Sequence, residues 1–189
     1  VTGSHLTSMH SMDNYYASKL IALMAEARLG VIANPLINIT IQGRHDSYPK
    51  RRGMTRVPEL MAAGLTVAFG HDCVMDPWYS LGSGDMLEVA HMAIHVAQMT
   101  GLDAMRSCFD AVTNHGAELL GLEDYGIAIG RFADLLLLEA QDPIEAIRLK
   151  AARLKVIRRG RVIAEAPSRR TTLRLDGRPG SVALLHRRG

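Results

Sequence analysis

Aromatic residues and cysteine are scarce in this chain, and each scarcity excludes a class of protein. Phe, Tyr and Trp together make up 5% of the 189 residues, too few for a surface that stacks the bases of a nucleic acid. The two cysteines, Cys73 and Cys108, form neither a disulfide framework nor a CxxC metal site. We therefore expect a reducing, cytoplasmic setting.

Long hydrophobic runs and several common motifs are missing as well. No apolar run approaches the roughly 20 residues that span a bilayer, and no charged-then-apolar leader opens the chain. We therefore expect no membrane partner and no secretion. The glycine-rich phosphate loops, the GxSxG of serine hydrolases and the HxE…PCxxC signature of one class of zinc deaminases are absent.

Positive charge is in slight excess, but its distribution does not indicate nucleic-acid binding. The net charge is +3, from 22 Lys and Arg against 19 Asp and Glu. In the last third of the chain, basic residues alternate with Leu, Val and Ile, as the solvent-facing positions of strands do. They are Arg148, Lys150, Arg153, Lys155, Arg158, Arg159, Arg161, Arg169 and Arg170. We expect a solvated face and no nucleic-acid partner.

The first seventy residues predict a parallel sheet, because short apolar strands alternate with helices. The predicted strands are 1–5, 31–35 and 65–70, and the predicted helices are 13–29 and 57–63. Asp13 is the expected N-cap of the first helix and Gly30 its expected stop. The polar stretch 36–54 predicts an irregular loop.

The second half predicts two more helices and then a small all-β unit. The helices are 84–99 and 103–119, and the strands are 134–138, 154–157, 161–164 and 171–175. Three parallel strands cannot close a (β/α)₈ barrel, which needs about 250 residues. The fold is therefore either a small open α/β sheet or the end of a barrel that begins elsewhere.

Polar residues follow each predicted strand of the parallel sheet, where α/β folds place their chemistry. They are His5, Asn34 and Asp72. Each has a plainer interpretation, since a histidine at a strand end is often only hydrogen-bonded in the core and an aspartate can cap a turn. His91 and His95 have the spacing of the HExxH zinc motif, but Met92 replaces its glutamate, so we interpret both as packing residues.

Several segments resemble the bacterial cytosine deaminases of the amidohydrolase superfamily. They are 1–11, 33–39, 42–44, 48–53, 69–79 and 124–127, and residues 130–138 are similar to a stretch common across the superfamily. The resemblance implies a metal-dependent (β/α)₈ TIM-type barrel. Residues 1–125 would be its C-terminal part, in which His5, Asn34 and Asp72 end strands six, seven and eight. Residues 126–189 would belong to a small β-sandwich subdomain.

The resemblance also implies roles for individual residues. Asp72 would bind one divalent transition metal, Fe²⁺ or Zn²⁺, and shuttle protons, while His5 would face the attacking water. Trp78 and Asn34 would contact the substrate. Cys73 stands where cytosine enzymes commonly carry a second aspartate, so we hypothesise a pocket that accepts a 5-substituted ring, although neutral drift at this position explains it equally well.

The expected function is hydrolytic deamination of a free pyrimidine, from cytosine to uracil or from 5-methylcytosine to thymine. The family's His-x-His pair, its further histidine and glutamate, and its substrate-reading glutamine have no counterpart here. We therefore expect an N-terminal half to be needed for activity, in a homo-oligomer. The alternatives are an amidohydrolase acting on another ring, such as isoguanine or a substituted triazine, and an inactive structural fragment.

Overall fold

The chain forms two compact units in a computed structural model that describes residues 1–169, 171–178 and 181–182. The first unit is Val1–Glu123 and the second is Asp124–Gly189. Among the described residues, no helix has both the length and the apolar character of a membrane span.

A three-stranded parallel sheet forms the centre of the first unit. Its strands are β1 (Thr2–Ser4), β2 (Gly30–Ala33) and β3 (Val67–Phe69), in the order β1-β2-β3. Strand β3 is fully buried and β2 nearly so, as the apolar runs predicted. The parallel α/β arrangement is therefore confirmed, and it brings the ends of all three strands to one edge of the sheet.

The first helix, α1 (Asn14–Glu26), begins where its cap predicts and ends earlier than expected. The Asp13 carboxylate accepts a hydrogen bond from the backbone N–H of Tyr16 at 2.9 Å. The helix ends before Arg28, which takes a left-handed φ of 50°, so the prediction of Gly30 as the stop is wrong. Gly30 instead lies in β2, where a Cβ atom would stand 2.4 Å from Leu119.

The segment predicted as an irregular loop contains a second helix, α2 (Pro35–Ile41). The prediction of a loop rests on Pro35 as the end of a strand. Proline is equally suited to the first turn of a helix, where its missing N–H costs nothing. Helix α2 buries Leu36, Ile37 and Asn38, and an irregular loop follows it. A short 3-10 helix, Thr7–Ser11, follows β1.

Four further helices complete the first unit. They are α3 (Val57–Ala62), α4 (Met86–Val96), α5 (Leu102–Ala111) and α6 (Asn114–Leu119). The single helix predicted over 103–119 is divided between α5 and α6. Thr113 leaves the helical region there, with φ −133° and ψ −93°, while its hydroxyl donates to the carbonyl oxygen of Phe109.

The second unit is not all β, because helix α7 (Pro143–Leu149) lies between its strands. Strands β4 (Leu135–Leu138), β5 (Arg153–Arg158) and β6 (Arg161–Glu165) form an antiparallel sheet. A two-residue pair, β7 (Thr171–Thr172) and β8 (Ser181–Val182), is shorter than the strand predicted over 171–175. Arg170 lies outside the described residues.

Candidate active site

His5 and Asp72 follow the two outer strands of the three-stranded sheet, and their side chains meet at its edge. His5 follows β1 and Asp72 follows β3, and the Nε2 atom of His5 lies 3.0 Å from Oδ2 of Asp72. The side chains are 43% and 31% exposed, so the pair is open to a ligand. The sheet therefore brings together the two residues that the sequence singled out for catalysis.

Unusual backbone conformations aim these two side chains at each other. His5, Leu6 and Asp72 have φ angles of 68°, 51° and 63°, in the left-handed region that favours glycine. Each such residue costs about 1 kcal/mol or more. The backbone N–H of His5 donates to the carbonyl oxygen of Ile32 at 2.8 Å and holds the turn. Strain of this kind clusters at functional sites.

The other ring nitrogen of His5 is bonded to Asn38, a residue that the sequence analysis missed. Nδ2 of Asn38 lies 2.9 Å from Nδ1 of His5, and the Asn38 side chain is buried in α2. The backbone N–H of Asn34 donates to Oδ1 of Asn38 at 3.3 Å. A signal was present, because Asn38 comes four residues after Asn34 and three after a proline that suits a helix start.

Asn34 is buried at the end of β2 and connects its neighbours on both sides. Its amide nitrogen donates to the hydroxyl of Ser4 at 3.2 Å. Its Oδ1 lies so close to Gly70 that a Cβ atom there would stand 2.3 Å away. Asn34 therefore holds the strand ends in place here, and its contact with substrate stays a prediction.

His71 begins the loop after β3, and both of its ring nitrogens are hydrogen-bonded to backbone groups. The N–H of Gly84 donates to Nε2 of His71 at 3.2 Å, so Nδ1 carries the hydrogen and donates to the carbonyl oxygen of Cys73 at 3.0 Å. The histidine is 8% exposed. It therefore closes the loop 71–84 rather than facing the His5–Asp72 pair.

Cys73 is buried between two carboxylates of that loop. Its Sγ lies 3.6 Å from Oδ1 of Asp72. A hydrogen bond with Asp76, then burial, then the charge of Asp72 raise the pKa of the thiol to about 12. The same hydrogen bond lowers the pKa of Asp76. At neutral pH Cys73 is thus a neutral thiol that donates to carboxylates.

Trp78 projects from the same loop and is 70% exposed. Asp76 orders the backbone beneath it, because Oδ1 of Asp76 accepts from the N–H groups of Trp78 and Tyr79, each at 2.9 Å. The loop therefore presents the indole outward. Its role as a wall of a substrate pocket stays a prediction.

The described residues supply one ligand of a possible metal site. Asp72 offers a partly exposed carboxylate at a strand end, a ligand type that zinc and iron accept. Within residues 1–169, 171–178 and 181–182, no three His, Cys, Asp or Glu converge to hold an ion. A catalytic zinc site uses about three protein ligands, so Asp72 fits as one ligand of a set that other residues would complete.

Comparison with known proteins identifies the family. The model of the amidohydrolase family matches residues 1–168. The chain belongs to the amidohydrolase family. Members of this family are hydrolases that act on C–N bonds, deaminases among them. The match covers both the strand-end site and most of the second unit, and it confirms the resemblance that the sequence motifs indicated.

Individual relatives refine this assignment. A 5-methylcytosine deaminase from Klebsiella pneumoniae, solved with 5-fluorocytosine, is 45% identical with a TM-score of 0.87, over 89% of this chain and 41% of that one. A pterin deaminase from Rhizobium rhizogenes is 34% identical over 165 residues, which are 86% of this chain and 37% of the relative. The chain thus spans about two fifths of the length of these relatives.

A more distant structure shares only the fold and holds a metal. It is an adenosine deaminase from Xanthomonas campestris with bound zinc, 23% identical with a TM-score of 0.61, matched over 85% of this chain and 36% of that one. Zinc thus occurs among proteins of this fold.

Proposed function

We propose that His5 and Asp72 form part of the active site of a metal-dependent deaminase that acts on a free pyrimidine, cytosine or 5-methylcytosine. The observation that carries the proposal is the 3.0 Å contact between these side chains, aimed by two left-handed strand-end residues. The 45% identity with a 5-methylcytosine deaminase supports the choice of substrate class.

The proposed architecture is a (β/α)₈ barrel in which β1, β2 and β3 are strands six, seven and eight. In such barrels the catalytic groups gather at the C-terminal ends of the strands. His5, Asn34 and Asp72 all stand at that edge. The antiparallel unit beyond residue 123 would then be part of a β-sandwich subdomain.

The proposed cofactor is one Zn²⁺ or Fe²⁺ ion, with Asp72 as one of its ligands. When bound, such an ion lowers the pKa of a water molecule toward about 7 and makes it a nucleophile at neutral pH. The remaining ligands would come from residues other than those described. Metal content of the active protein, measured by plasma mass spectrometry, should fall on Asp72→Asn, with Asp103→Asn on the surface of α5 as control.

Hydrolytic deamination forms one C–O bond to the ring carbon and breaks its bond to the exocyclic amine. Asp72 would accept a proton from the attacking water and return it to the leaving nitrogen, which departs as ammonia. His5 would donate from Nε2 to the attacking oxygen and so stabilise the negative charge that develops there. The second proton of the water passes to the adjacent ring nitrogen as the hydroxyl becomes a carbonyl, so the product is the corresponding ring carbonyl with an N–H beside it.

Cys73 is the proposed determinant of the ring substituent. A neutral thiol is smaller than a carboxylate and behaves as a small hydrophobe. Where cytosine enzymes carry a second aspartate, it would leave room for a methyl group at the 5-position. The pKa of about 12 supports this role, because the thiol brings no negative charge of its own.

The test is the ratio of kcat/KM for 5-methylcytosine to that for cytosine, in the wild type and in Cys73→Asp. Burying one methyl group contributes about 0.8 kcal/mol, so the substitution should lower the ratio by about fourfold or more. A control, Cys108→Ser, changes the other buried thiol. An unchanged ratio would discard Cys73 as the determinant.

A second candidate substrate is an amino-substituted ring other than a pyrimidine, such as a pterin. The 34% identity with a pterin deaminase favours it. Ammonia release should therefore be measured on pterin, isoguanine and a substituted triazine beside the two pyrimidines. Turnover of pterin with no turnover of either pyrimidine would replace the pyrimidine proposal while keeping the roles of His5 and Asp72.

A further inference from the structure

Asn38 is buried next to the candidate site and is hydrogen-bonded to His5. The residue is 1% exposed and lies on α2. Its backbone is held on both sides, since its N–H donates to the carbonyl oxygen of Asn34 and its own carbonyl accepts from Gln42, each at 3.0 Å. The side chain therefore has little freedom to move.

The orientation of the Asn38 amide follows from its two neighbours. The backbone N–H of Asn34 is a donor, so the atom facing it at 3.3 Å must be the acceptor Oδ1. The amide nitrogen then faces Nδ1 of His5 at 2.9 Å. The reverse orientation would oppose the NH₂ group of Asn38 to the N–H of Asn34, two donors in a buried place.

The orientation of the amide decides which nitrogen of His5 carries hydrogen. Because Nδ2 of Asn38 donates, Nδ1 of His5 must accept, and the hydrogen of the neutral ring lies on Nε2. That nitrogen faces Oδ2 of Asp72 at 3.0 Å. A chain of donors thus runs in one direction, from Asn34 through Asn38 and His5 to Asp72.

We propose that Asn38 is a positioning residue that selects the Nε2–H tautomer of His5, so that His5 presents a donor and not an acceptor at the reaction site. Its consequence for catalysis rests on the proposed function, in which His5 donates to the attacking oxygen. With the opposite tautomer, the lone pair of Nε2 would face both that oxygen and the Asp72 carboxylate, and the stabilisation would be lost.

The direct test is ¹⁵N NMR of the imidazole rings in the complete native protein loaded with diamagnetic zinc, at one neutral pH. Loss of a signal pair in His5→Gln assigns His5 among the histidine signals. The wild type should show a protonated Nε2 and an unprotonated Nδ1. Asn38→Asp keeps an acceptor for Asn34 but places a carboxylate oxygen against His5, so Nδ1 should become protonated.

The control is Asn114→Asp, which makes the same chemical change at the exposed start of α6. It should leave the His5 signals unchanged. A hydrogen on Nδ1 of His5 in the wild type overturns the inference, whether or not Asn38→Asp folds. Unchanged His5 signals in a folded Asn38→Asp protein also overturn it.

Activity separates this inference from the proposed function. Asn38→Asp should lower kcat by about 10- to 100-fold, by analogy with partners that orient metal-bound histidines, with KM changed much less. A loss confined to KM would assign Asn38 to substrate binding and contradict the positioning role. If the NMR result holds and no pyrimidine is turned over, the tautomer assignment stands and the proposed function fails.

Discussion

The outer strands of the parallel sheet each lead to a histidine, and the two histidines have opposite surroundings. His5, after β1, is bonded to the side chains of Asn38 and Asp72 and is partly exposed. His71, after β3, is bonded to the backbone of Cys73 and Gly84 and is buried. Hydrogen lies on Nε2 in the first ring and on Nδ1 in the second.

Both residues are histidines at a strand end, so their hydrogen-bond partners must decide which one is available for catalysis and which one is structural. Side-chain partners at a partly exposed edge leave His5 able to exchange Asp72 for a ligand. Backbone partners around a buried ring leave His71 with no such exchange, because breaking either bond leaves a polar group unpaired. The region of His5 should therefore control activity, and the region of His71 should control stability.

The largest effect should come from Asp72→Asn. Removing the carboxylate removes a proton acceptor and a metal ligand together, so kcat/KM should fall by about 10³-fold or more. The free energy of unfolding, from urea denaturation, should change little because the side chain is partly exposed. Asp103→Asn is the matched control. An Asp72→Asn enzyme with near wild-type kcat/KM would remove the basis for treating this edge as the active site.

The second effect is on stability and concerns His71→Ala. This change removes one buried and one partly buried hydrogen bond and should lower the free energy of unfolding by about 2–3 kcal/mol. His95→Ala on the exposed face of α4 serves as the control and should stay within about 0.5 kcal/mol of the wild type. Urea denaturation measures both. A large loss of kcat in a stable His71→Ala protein would contradict the assignment of a purely structural role to His71.

A smaller effect tests how closely the loop packs on His71. Gly82 and Gly84 both have left-handed φ angles, 89° and 73°, but a Cβ on Gly82 would stand 2.5 Å from Cε1 of His71, while Gly84 faces open space. Gly84→Ala should show backbone strain alone, and Gly82→Ala should cost about 1–2 kcal/mol more. The excess should shrink in a His71→Ala background. Equal costs would show that His71 does not fill this position.

The last effect is on chemical reactivity and concerns the two thiols. Only the thiolate is alkylated, and the pKa of Cys73 is about 12. At pH 9, iodoacetamide should therefore modify Cys73 in the folded protein at least about 10²-fold more slowly than in urea. Asp76→Asn should speed the reaction at Cys73, because it removes the hydrogen bond that raises the pKa most.

Cys108 provides the internal control for that experiment. Burial alone raises its pKa to about 12, with no carboxylate involved. Asp76→Asn should leave its alkylation rate unchanged, as followed by peptide mass spectrometry. Equal acceleration at both thiols would mean that the substitution loosens the fold as a whole and does not act through the pKa of Cys73.

The ends of the strands were the part of the site that sequence could predict. Apolar runs that stop at a polar residue locate His5, Asn34 and Asp72, because parallel strands bring their carboxyl ends to one edge. The pattern could not give the left-handed turn at His5, since sterics disfavour it and only the surrounding hydrogen bonds hold it.

The two helices that sequence analysis missed each begin with a proline. Pro35 precedes the run that carries Asn38, and Pro143 follows the cap Asp142 in the second unit. At the start of α7, the N–H of Glu145 donates to the Asp142 side chain, and the Glu145 side chain accepts from the N–H of Gln141. This pattern is close to a capping box. Both prolines fit the first helical turn, and for the second helix the Asp142 cap also marks the start.

The central claim is that His5 and Asp72 act together, and a double-mutant cycle on kcat/KM tests it most directly. The variants are His5→Gln, Asp72→Asn and the double substitution, each checked for folding by circular dichroism. If the 3.0 Å contact joins them in one function, the double variant should lose little more activity than the worse single variant. Losses that multiply to the full product would show two independent residues and contradict the account.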